Sequence, residues 1–306
     1  MDVRARQEQW LQSNKSIVQR FYDAIDGGRL DRLNEILTVD FEDQDHNGVT
    51  GARAGRQVFE RCMQRFGQAL PDSKTTVRAM AAEGDRVMVL RVQEATHRAA
   101  FAGFAPTGRR VALEAIEVFQ LALGRIANYW HLYDGAVLSR ELQAPSGATT
   151  PTVARTPLEI IPQRSAEVRE RNKAVVRYMH EGIDRQNWSV LDEVLSADFV
   201  DHGATDVPPT AMGIKMMYER VYKGLPDAYT VLHDILADAD DVIVRRTCHC
   251  THRGEMWGIP ASGRRVSVGL INWFRLRDGR ITSHWHAFDS IGLRRQLSGQ
   301  AALEYV

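Results

Sequence analysis

The sequence contains one long internal repeat, and this repeat constrains the fold more than any other feature. The stretch NKSIVQRFYDAIDGGRLDRLNEIL, which begins at Asn14, matches NKAVVRYMHEGIDRQNWSVLDEVL, which begins at Asn172, 158 residues further on. Three residues are gained or lost in the loop after Phe41, and further along the chain the spacing between matching residues is 155, as between His97 and His252. A constant spacing on both sides of one three-residue gap indicates a duplicated domain rather than a short solenoid repeat.

A proline- and threonine-rich stretch separates the two copies. Residues 143–164 read QAPSGATTPTVARTPLEIIPQR and include four prolines. Such a composition buries too little apolar surface to order itself and is typical of a semi-extended linker. The sequence therefore predicts a domain at 1–142, a linker at 143–164 and a second domain at 165–306, and a chain of 306 residues has room for both.

The composition excludes several classes of partner. Basic and acidic residues number 39 each, so the sequence lacks the basic surplus typical of a protein that binds nucleic acid. No apolar run is long enough for a membrane span, and the N-terminal stretch lacks a signal-peptide core, so a cytoplasmic location is expected. Cys248, Cys250 and His252 share one face of a predicted strand but lack a fourth ligand, so no metal site is predicted.

The hydrophobic periodicity changes in the same order within each copy. Apolar residues at helical spacing open each copy, and further helices are predicted over Arg56–Ala69 and Met212–Gly224. A short loop containing Phe41 or Phe199 is expected before these helices. Four alternating stretches then predict four strands in each copy. This order predicts an α+β domain in which N-terminal helices cover one face of a curved antiparallel sheet and enclose an apolar pocket.

The ordered motifs of each copy resemble a known family. Residues 172–299 contain ADFVDHG, GLPDAYT, GEMWGIPASGRRVSV and DGRITSHWHAFDSIGLRRQLSG, and residues 14–143 contain FEDQDH, ALPDS, APTGRRV and RIANYWHLYD. This succession resembles the SnoaL-like polyketide (ester) cyclases of the NTF2-like superfamily. The resemblance implies two NTF2-like cone domains and a cofactor-independent ring closure or isomerisation of a hydrophobic, oxygenated small molecule in secondary metabolism. It also implies an aspartate as general acid/base on the last strand, which here is Asp134 or Asp289.

The chemistry of these aspartates sets conditions on the site. A free aspartate is a poor base at neutral pH, so catalysis requires an apolar pocket that raises its pKa. Strand alternation places Trp285 and Asp289 on one face, and His284 and His286 on the other. The alternative interpretation of Asp289 is that it caps the helix that follows.

Other polar and aromatic residues are expected to face the two pockets. The predicted acid/base set adds Asn272, as a donor to a developing enolate oxygen, together with two histidines, His202 and His252. The predicted substrate-binding residues are Trp130, Trp285, Trp257, His46, His97 and Glu117.

Two other functions fit the same fold, and the duplication suggests an assembly. An epoxide hydrolase of the limonene type needs an Asp-Arg-Asp arrangement, for which Arg91 and Arg246 are the candidate arginines. A non-catalytic protein that binds a small molecule needs only the pocket. Single NTF2-like domains frequently pair through the outer sheet face, so the tandem chain is expected to form an intramolecular pseudo-dimer, with further homo-oligomers possible.

Overall fold

The computed structural model describes residues 3–45, 53–101, 104–143, 164–204 and 206–300. The chain divides into two compact units, residues 1–159 and 160–304. Each unit is an α+β fold built on one curved sheet, which confirms the predicted fold class. Most of the predicted linker lies outside the described residues.

The first unit has helices at its start and a sheet at its end, as the change of periodicity predicts. Its elements are, in order, α1 (Val3–Asp26), a 3₁₀ turn (Leu30–Arg32), α2 (Leu33–Ile36), β1 (Leu37–Asp43), β2 (Ala54–Gly55), α3 (Arg56–Ala69), β3 (Lys74–Glu83), β4 (Arg86–Thr96), β5 (Arg110–Ala122), β6 (Arg125–Tyr133) and α4 (Gly135–Gln143). The described strands are arranged β2-β1-β6-β5-β4-β3.

The second unit repeats this plan. Its elements are α5 (Ala166–Asp184), α6 (Ser189–Val194), β7 (Leu195–Asp201), α7 (Ala211–Gly224), β8 (Tyr229–Asp238), β9 (Asp241–Thr251), β10 (Arg265–Arg277), β11 (Arg280–Phe288) and α8 (Ser290–Ser298). The described strands are arranged β7-β11-β10-β9-β8.

Strands β1 and β7 correct the sequence analysis, which expected loops around Phe41 and Phe199. Each strand pairs in parallel with the last strand of its sheet, so Asp43 lies opposite Tyr129 and Asp201 lies opposite His284. The other pairings are antiparallel, so both sheets are mixed. The sequences LTVDFED and LSADFVD have a weak local strand signal because aspartate is depleted in strands, and pairing with the last strand specifies their conformation.

Each sheet has an inner face, which the helices cover, and an outer face on its opposite side. Phe21 of α1 and Phe59 of α3 pack against Phe119 and Tyr129 of the first sheet. Since side chains alternate along a strand, His131 shares the inner face with Tyr129. The same alternation puts Trp130 on the outer face. Within the described ranges, no helix combines the length and the hydrophobicity that a membrane span requires.

Candidate functional site

A cavity of about 130 Å³ lies in the first unit between α1, α3 and the inner face of the sheet. Its wall is mainly apolar and aromatic, with a few polar groups from the strands. The lining includes Phe21, Tyr22, Phe59, Met63, Arg91 and His131. A concave, mainly apolar space with a few convergent polar groups is the usual form of a small-molecule site.

The polar floor beneath this cavity is organised around Glu117, which is completely buried. Its carboxylate accepts hydrogen bonds from the hydroxyls of Tyr22 and Tyr129 and from the guanidinium of Arg91, at 2.6 Å from Tyr129 and 2.8 Å from Arg91 Nε. Burial alone would raise the pKa of Glu117. Arg91 and the two hydroxyls have the larger, opposite effect, so the pKa is lowered. Burial and the Glu117 carboxylate raise the pKa of each tyrosine. Glu117 is therefore a charged structural centre with neutral tyrosines around it.

A second polar pair reaches the wall of the same cavity. His131 Nε2 lies 3.2 Å from Oδ1 of Asp43, which is 1% exposed at the end of β1. Burial lowers the pKa of His131, but the charge and hydrogen bond of Asp43 more than offset this, so the pKa is raised. The His131 ring also stacks on Tyr129, with centroids 4.7 Å apart. This pair is an imidazole held in place by a carboxylate, the arrangement of a general acid/base.

The second unit has different groups at the matching positions. Asn272 replaces Glu117, and its Oδ1 accepts a hydrogen bond from Arg246 Nε at 2.8 Å. Because this contact fixes the amide orientation, Nδ2 faces His284 Nε2 at 2.9 Å and donates to it. His284 in its neutral form then carries its proton on Nδ1, which lies 3.3 Å from Asp201 Oδ1.

Two imidazoles face the Asp201 carboxylate. His286 Nδ1 lies 3.8 Å from Asp201 Oδ1, and the Gly203 N–H donates to the same oxygen at 3.1 Å. Burial alone would raise the pKa of Asp201, but His284, His286 and the Gly203 N–H lower it to about 2. A Cβ at Gly203 would collide with Cε1 of His286, so a larger residue at this position would displace the ring. The side chain of His286 is 20% exposed and that of His284 is 3% exposed.

The same three side chains have the composition of a metal site. One ligand atom from each of Asp201, His284 and His286 lies within 4.8 Å of the others. A histidine that binds a metal through Nδ1 normally keeps its proton on Nε2. His284 Nε2 instead accepts a hydrogen bond from Asn272, so the hydrogen-bond pattern favours an imidazole–carboxylate site over a metal site.

The family follows from comparison with known sequences. The model of the SnoaL-like polyketide cyclases matches residues 16–142 and 173–297, which together make up more than half of the chain. The chain belongs to this family. The two matches confirm the resemblance that the sequence motifs indicate, and they confirm that it is present in tandem.

Solved structures of single-domain size are similar to parts of this SnoaL-like chain. TsrD from Streptomyces laurentii is 29% identical, with 42% of this chain and 96% of that chain covered and a TM-score of 0.40. AclR from Streptomyces galilaeus is 27% identical, with 44% and 99% covered and a TM-score of 0.41. IdmH from Streptomyces antibioticus is 26% identical, with 42% and 98% covered and a TM-score of 0.39. A search of curated proteins gives no match.

The two aspartates implied by the family resemblance lie at the junction of the last strand and a helix. Asp289 is 8% exposed, and its Oδ1 accepts the Gly292 N–H at 2.7 Å as the N-cap of α8. The Asp134 carbonyl accepts the N–H groups of the first turn of α4. Asp134 is not among the residues that line the cavity, although its neighbour Tyr133 is. The capping interpretation of Asp289 is therefore observed, and a catalytic role stays a prediction.

Two predicted histidines, His97 and His252, have matching local roles. Both are completely buried, and the Nδ1 of each accepts a backbone N–H, from Thr107 at 3.3 Å and from Ser262 at 3.2 Å. Burial lowers the pKa of His97. These contacts fasten the loop between β4 and β5, or between β9 and β10. In each ring Nε2 is buried without a hydrogen-bond partner among the described residues.

The sheet separates the predicted tryptophans Trp130 and Trp285 from the polar groups of the inner faces. Trp130 and Trp285 lie on the outer faces, on the side opposite to the cavity of the first unit and the histidine pair of the second. His202 is exposed and stacks on Trp285, with centroids 4.3 Å apart and planes at 2°. Trp257 is 40% exposed at a hairpin tip. His46 lies outside the described residues.

Sequence analysis missed the two imidazole–carboxylate pairs, Asp43 with His131 and Asp201 with His286. Asp43 and Asp201 are identical residues at the 158-residue spacing, and His131 and His286 are identical at 155. Identity between the two copies could have selected both pairs. The sequence did not indicate the parallel pairing of β1 and β7 with the last strand, and this pairing places each aspartate beside its histidine.

Proposed function

We propose that the chain is a cofactor-independent cyclase or isomerase that acts on a hydrophobic, oxygenated small molecule by acid/base catalysis. The observation that carries the proposal is the pairing of His131 with Asp43 at the wall of an apolar cavity. The membership of the SnoaL-like family supports a ring closure of polyketide type in secondary metabolism.

The proton transfer follows from the tautomer of His131. When Nε2–H donates to Asp43, Nδ1 is the basic atom of the neutral ring. It removes a proton from a carbon next to a carbonyl, and the Asp43 carboxylate stabilises the imidazolium that forms. Arg91 also lines the cavity and places positive charge where an enolate oxygen develops. The imidazolium then returns the proton to the alkoxide of the new ring.

The strand-end aspartates Asp134 and Asp289 remain the second assignment for the acid/base group.

The contacts of the two candidate arginines give little support to the epoxide-hydrolase alternative. Arg91 donates to Glu117 and Gln93, and Arg246 donates to Asn272 and Thr230. Neither set of described contacts includes an aspartate of an Asp-Arg-Asp arrangement.

The test is the exchange of the α-proton of a naphthyl β-keto ester for deuterium, catalysed by the full chain. We expect His131→Gln and Asp43→Asn each to lower the rate by about 100-fold while affinity for the ester changes little. Asp134→Asn and Asp289→Asn are the matched carboxyl-to-amide controls and should retain the rate. Loss of exchange in Asp289→Asn, with His131→Gln unaffected, would move the site to the strand end. Binding by wild type without exchange would indicate a carrier.

A further inference from the structure

An open cleft of about 530 Å³ lies on the second sheet, where strands β8, β9 and β10 meet the hairpin loops. Its floor consists of two rows of side chains that cross these strands. Tyr229, His249 and Ser267 lie opposite one another in the first row, and Thr251 lies opposite Arg265 in the second. A space of this volume has the size of a small-molecule site.

Strand alternation determines the side of the sheet on which the cleft lies. Arg246 and Asn272 are on the inner face, where they contact each other. His249 is three residues after Arg246 and Ser267 is five residues before Asn272, and odd spacings along a strand place both on the outer face. The cleft is therefore separate from the histidines beside Asp201, and binding there does not rest on the proposed function.

Comparison of the two copies reveals an unbalanced arginine in this cleft. In the first unit, Arg110 Nε lies 3.7 Å from Oε1 of Glu94. The residues at the 155-residue spacing are Arg265 and His249, so an imidazole replaces the carboxylate. Within the part of the chain that the structure describes, no carboxylate forms an ion pair with Arg265.

A second arginine borders the same cleft. The side chain of Arg253 is 62% exposed, and its Nε lies 3.8 Å from Oδ2 of Asp227. The other oxygen of Asp227 accepts the Thr251 N–H at 2.7 Å. One carboxylate thus accompanies two guanidinium groups, which leaves a surplus of positive charge. The Ser267 hydroxyl lies 2.8 Å from His249 Nδ1 and holds that ring in place beside them.

An exposed aromatic ring completes the cleft. Tyr229 is 55% exposed, and its ring centroid lies 5.3 Å from that of His249, with the planes at 32°. A guanidinium group binds a carboxylate through two parallel hydrogen bonds, and an aromatic ring stacks on a flat ligand. We propose that this cleft is a second binding site, which takes a small aromatic carboxylate. The carboxylate binds to Arg265 and Arg253, and the ring of the ligand stacks on Tyr229.

Binding is tested with 2-naphthoate, titrated into the full chain and followed by calorimetry. We expect Arg265→Gln to weaken one class of sites by about 10-fold or more, because the charge-assisted hydrogen bonds to the carboxylate are lost. Arg110→Gln is the matched control and should retain the affinity, since Glu94 already balances the charge of Arg110. Equal affinity for wild type and Arg265→Gln would overturn the proposal.

The variant His249→Glu gives the cleft the charge balance of the first unit. We expect it to weaken 2-naphthoate about as much as Arg265→Gln does, because the new carboxylate pairs with Arg265 and repels the ligand. The thermal midpoint should stay close to that of wild type, since His249 lies at the surface cleft rather than in the core. Unchanged affinity in this variant would show that the free charge of Arg265 does not determine binding, and would overturn the site.

The variant Tyr229→Ala separates an aromatic carboxylate from a bare anion. We expect the affinity for 2-naphthoate to fall by about 5-fold, the range of one aromatic contact, and the affinity for inorganic phosphate to stay the same. Phosphate that binds as tightly as 2-naphthoate would overturn the aromatic ligand. Arg265→Gln should keep the wild-type rate of deuterium exchange, so failure of this site and failure of the proposed function are distinguishable.

Discussion

At the scale of single residues, one difference between the two units changes the charge of the polar groups on the inner sheet face. Glu117 of the first unit corresponds to Asn272 of the second, and its partners Tyr22 and Tyr129 correspond to two histidines, His180 and His284. The arginine partner is retained as Arg91 or Arg246. An ionised carboxylate accepts hydrogen bonds from tyrosines, whereas an amide can also donate to an imidazole.

The Glu117 carboxylate compensates the buried charge of Arg91. We expect Glu117→Gln to lower the free energy of unfolding by about 3 kcal/mol, since removal of one partner leaves the other charge buried. Urea unfolding of the full chain measures this difference. Glu60→Gln is the control, because it breaks an ion pair with Arg56 at 2.8 Å in which Glu60 is 30% exposed. A cost below 1 kcal/mol for Glu117→Gln, on the order of an exposed pair, would contradict the charged assignment.

The raised pKa of His131 makes stability depend on pH. A group with a higher pKa in the folded state binds its proton more tightly there, so its contribution is complete below the unfolded pKa of about 6.5. The contribution is lost as the pH rises through the higher folded pKa. We expect Asp43→Asn to remove most of this loss, measured as the difference between the wild-type and variant unfolding curves across that window. A pH dependence that is the same in both proteins would exclude Asp43 as the cause.

The polar site residues predicted from the sequence are only partly those that the structure brings together. The sequence analysis names Glu117 as a substrate-binding residue and Asn272 as a catalytic residue; the structure places both in buried hydrogen-bonded networks, and those two roles stay predictions. The family resemblance implies the strand-end aspartates as the acid/base groups, and strand alternation puts His286 on the opposite face from Asp289, as it does His131 from Asp134. The carboxylate partners of these histidines are distant in sequence, so spacing alone could not pair them.

At the scale of elements, helix and strand periods predicted most boundaries closely. Helix α3 covers Arg56–Ala69 as predicted, and α7 begins one residue earlier than predicted, at Ala211. Both helices carry an apolar stripe that local sequence reveals. Strands β1 and β7 have no such local signal, since their pairing with the last strand determines them. The least predictable elements therefore carry the aspartates of the candidate sites.

The first turn of α8 tests whether Asp289 serves mainly as a cap. Its carboxylate accepts the Gly292 N–H, and a Cβ at Gly292 would collide with that carboxylate. We expect Asp289→Ala to cost about 1 kcal/mol and Asp289→Asn to be nearly neutral, because asparagine caps helices as well as aspartate does. Thermal unfolding of both variants gives the comparison. An equally large cost for Asp289→Asn would mean that the negative charge itself is required.

At the scale of the whole molecule, the repeat accounts for the architecture but not for the chemistry. Two family matches, and two units whose helices and shared strands follow the same order, are explained by one duplication. The units then differ at their inner faces, with a carboxylate and two tyrosines in one and an amide and histidines in the other. A duplicated fold can keep its shape while its sites diverge, because the sheet pairing does not depend on which polar side chains the inner face presents.

The outer sheet face of the second unit bears on the predicted pseudo-dimer. Ile243, Ile271, Trp273 and Trp285 alternate with the inner-face residues along neighbouring strands and so lie on the outer face. An apolar sheet face is unstable in water unless it is covered. We therefore expect residues 165–306, produced alone, to dimerise or to unfold at lower urea concentration than in the full chain. Sedimentation velocity and urea unfolding measure both, and Ile271→Glu in the isolated unit should shift a dimer towards monomer. A monomer as stable as in the full chain would show that this face needs no partner.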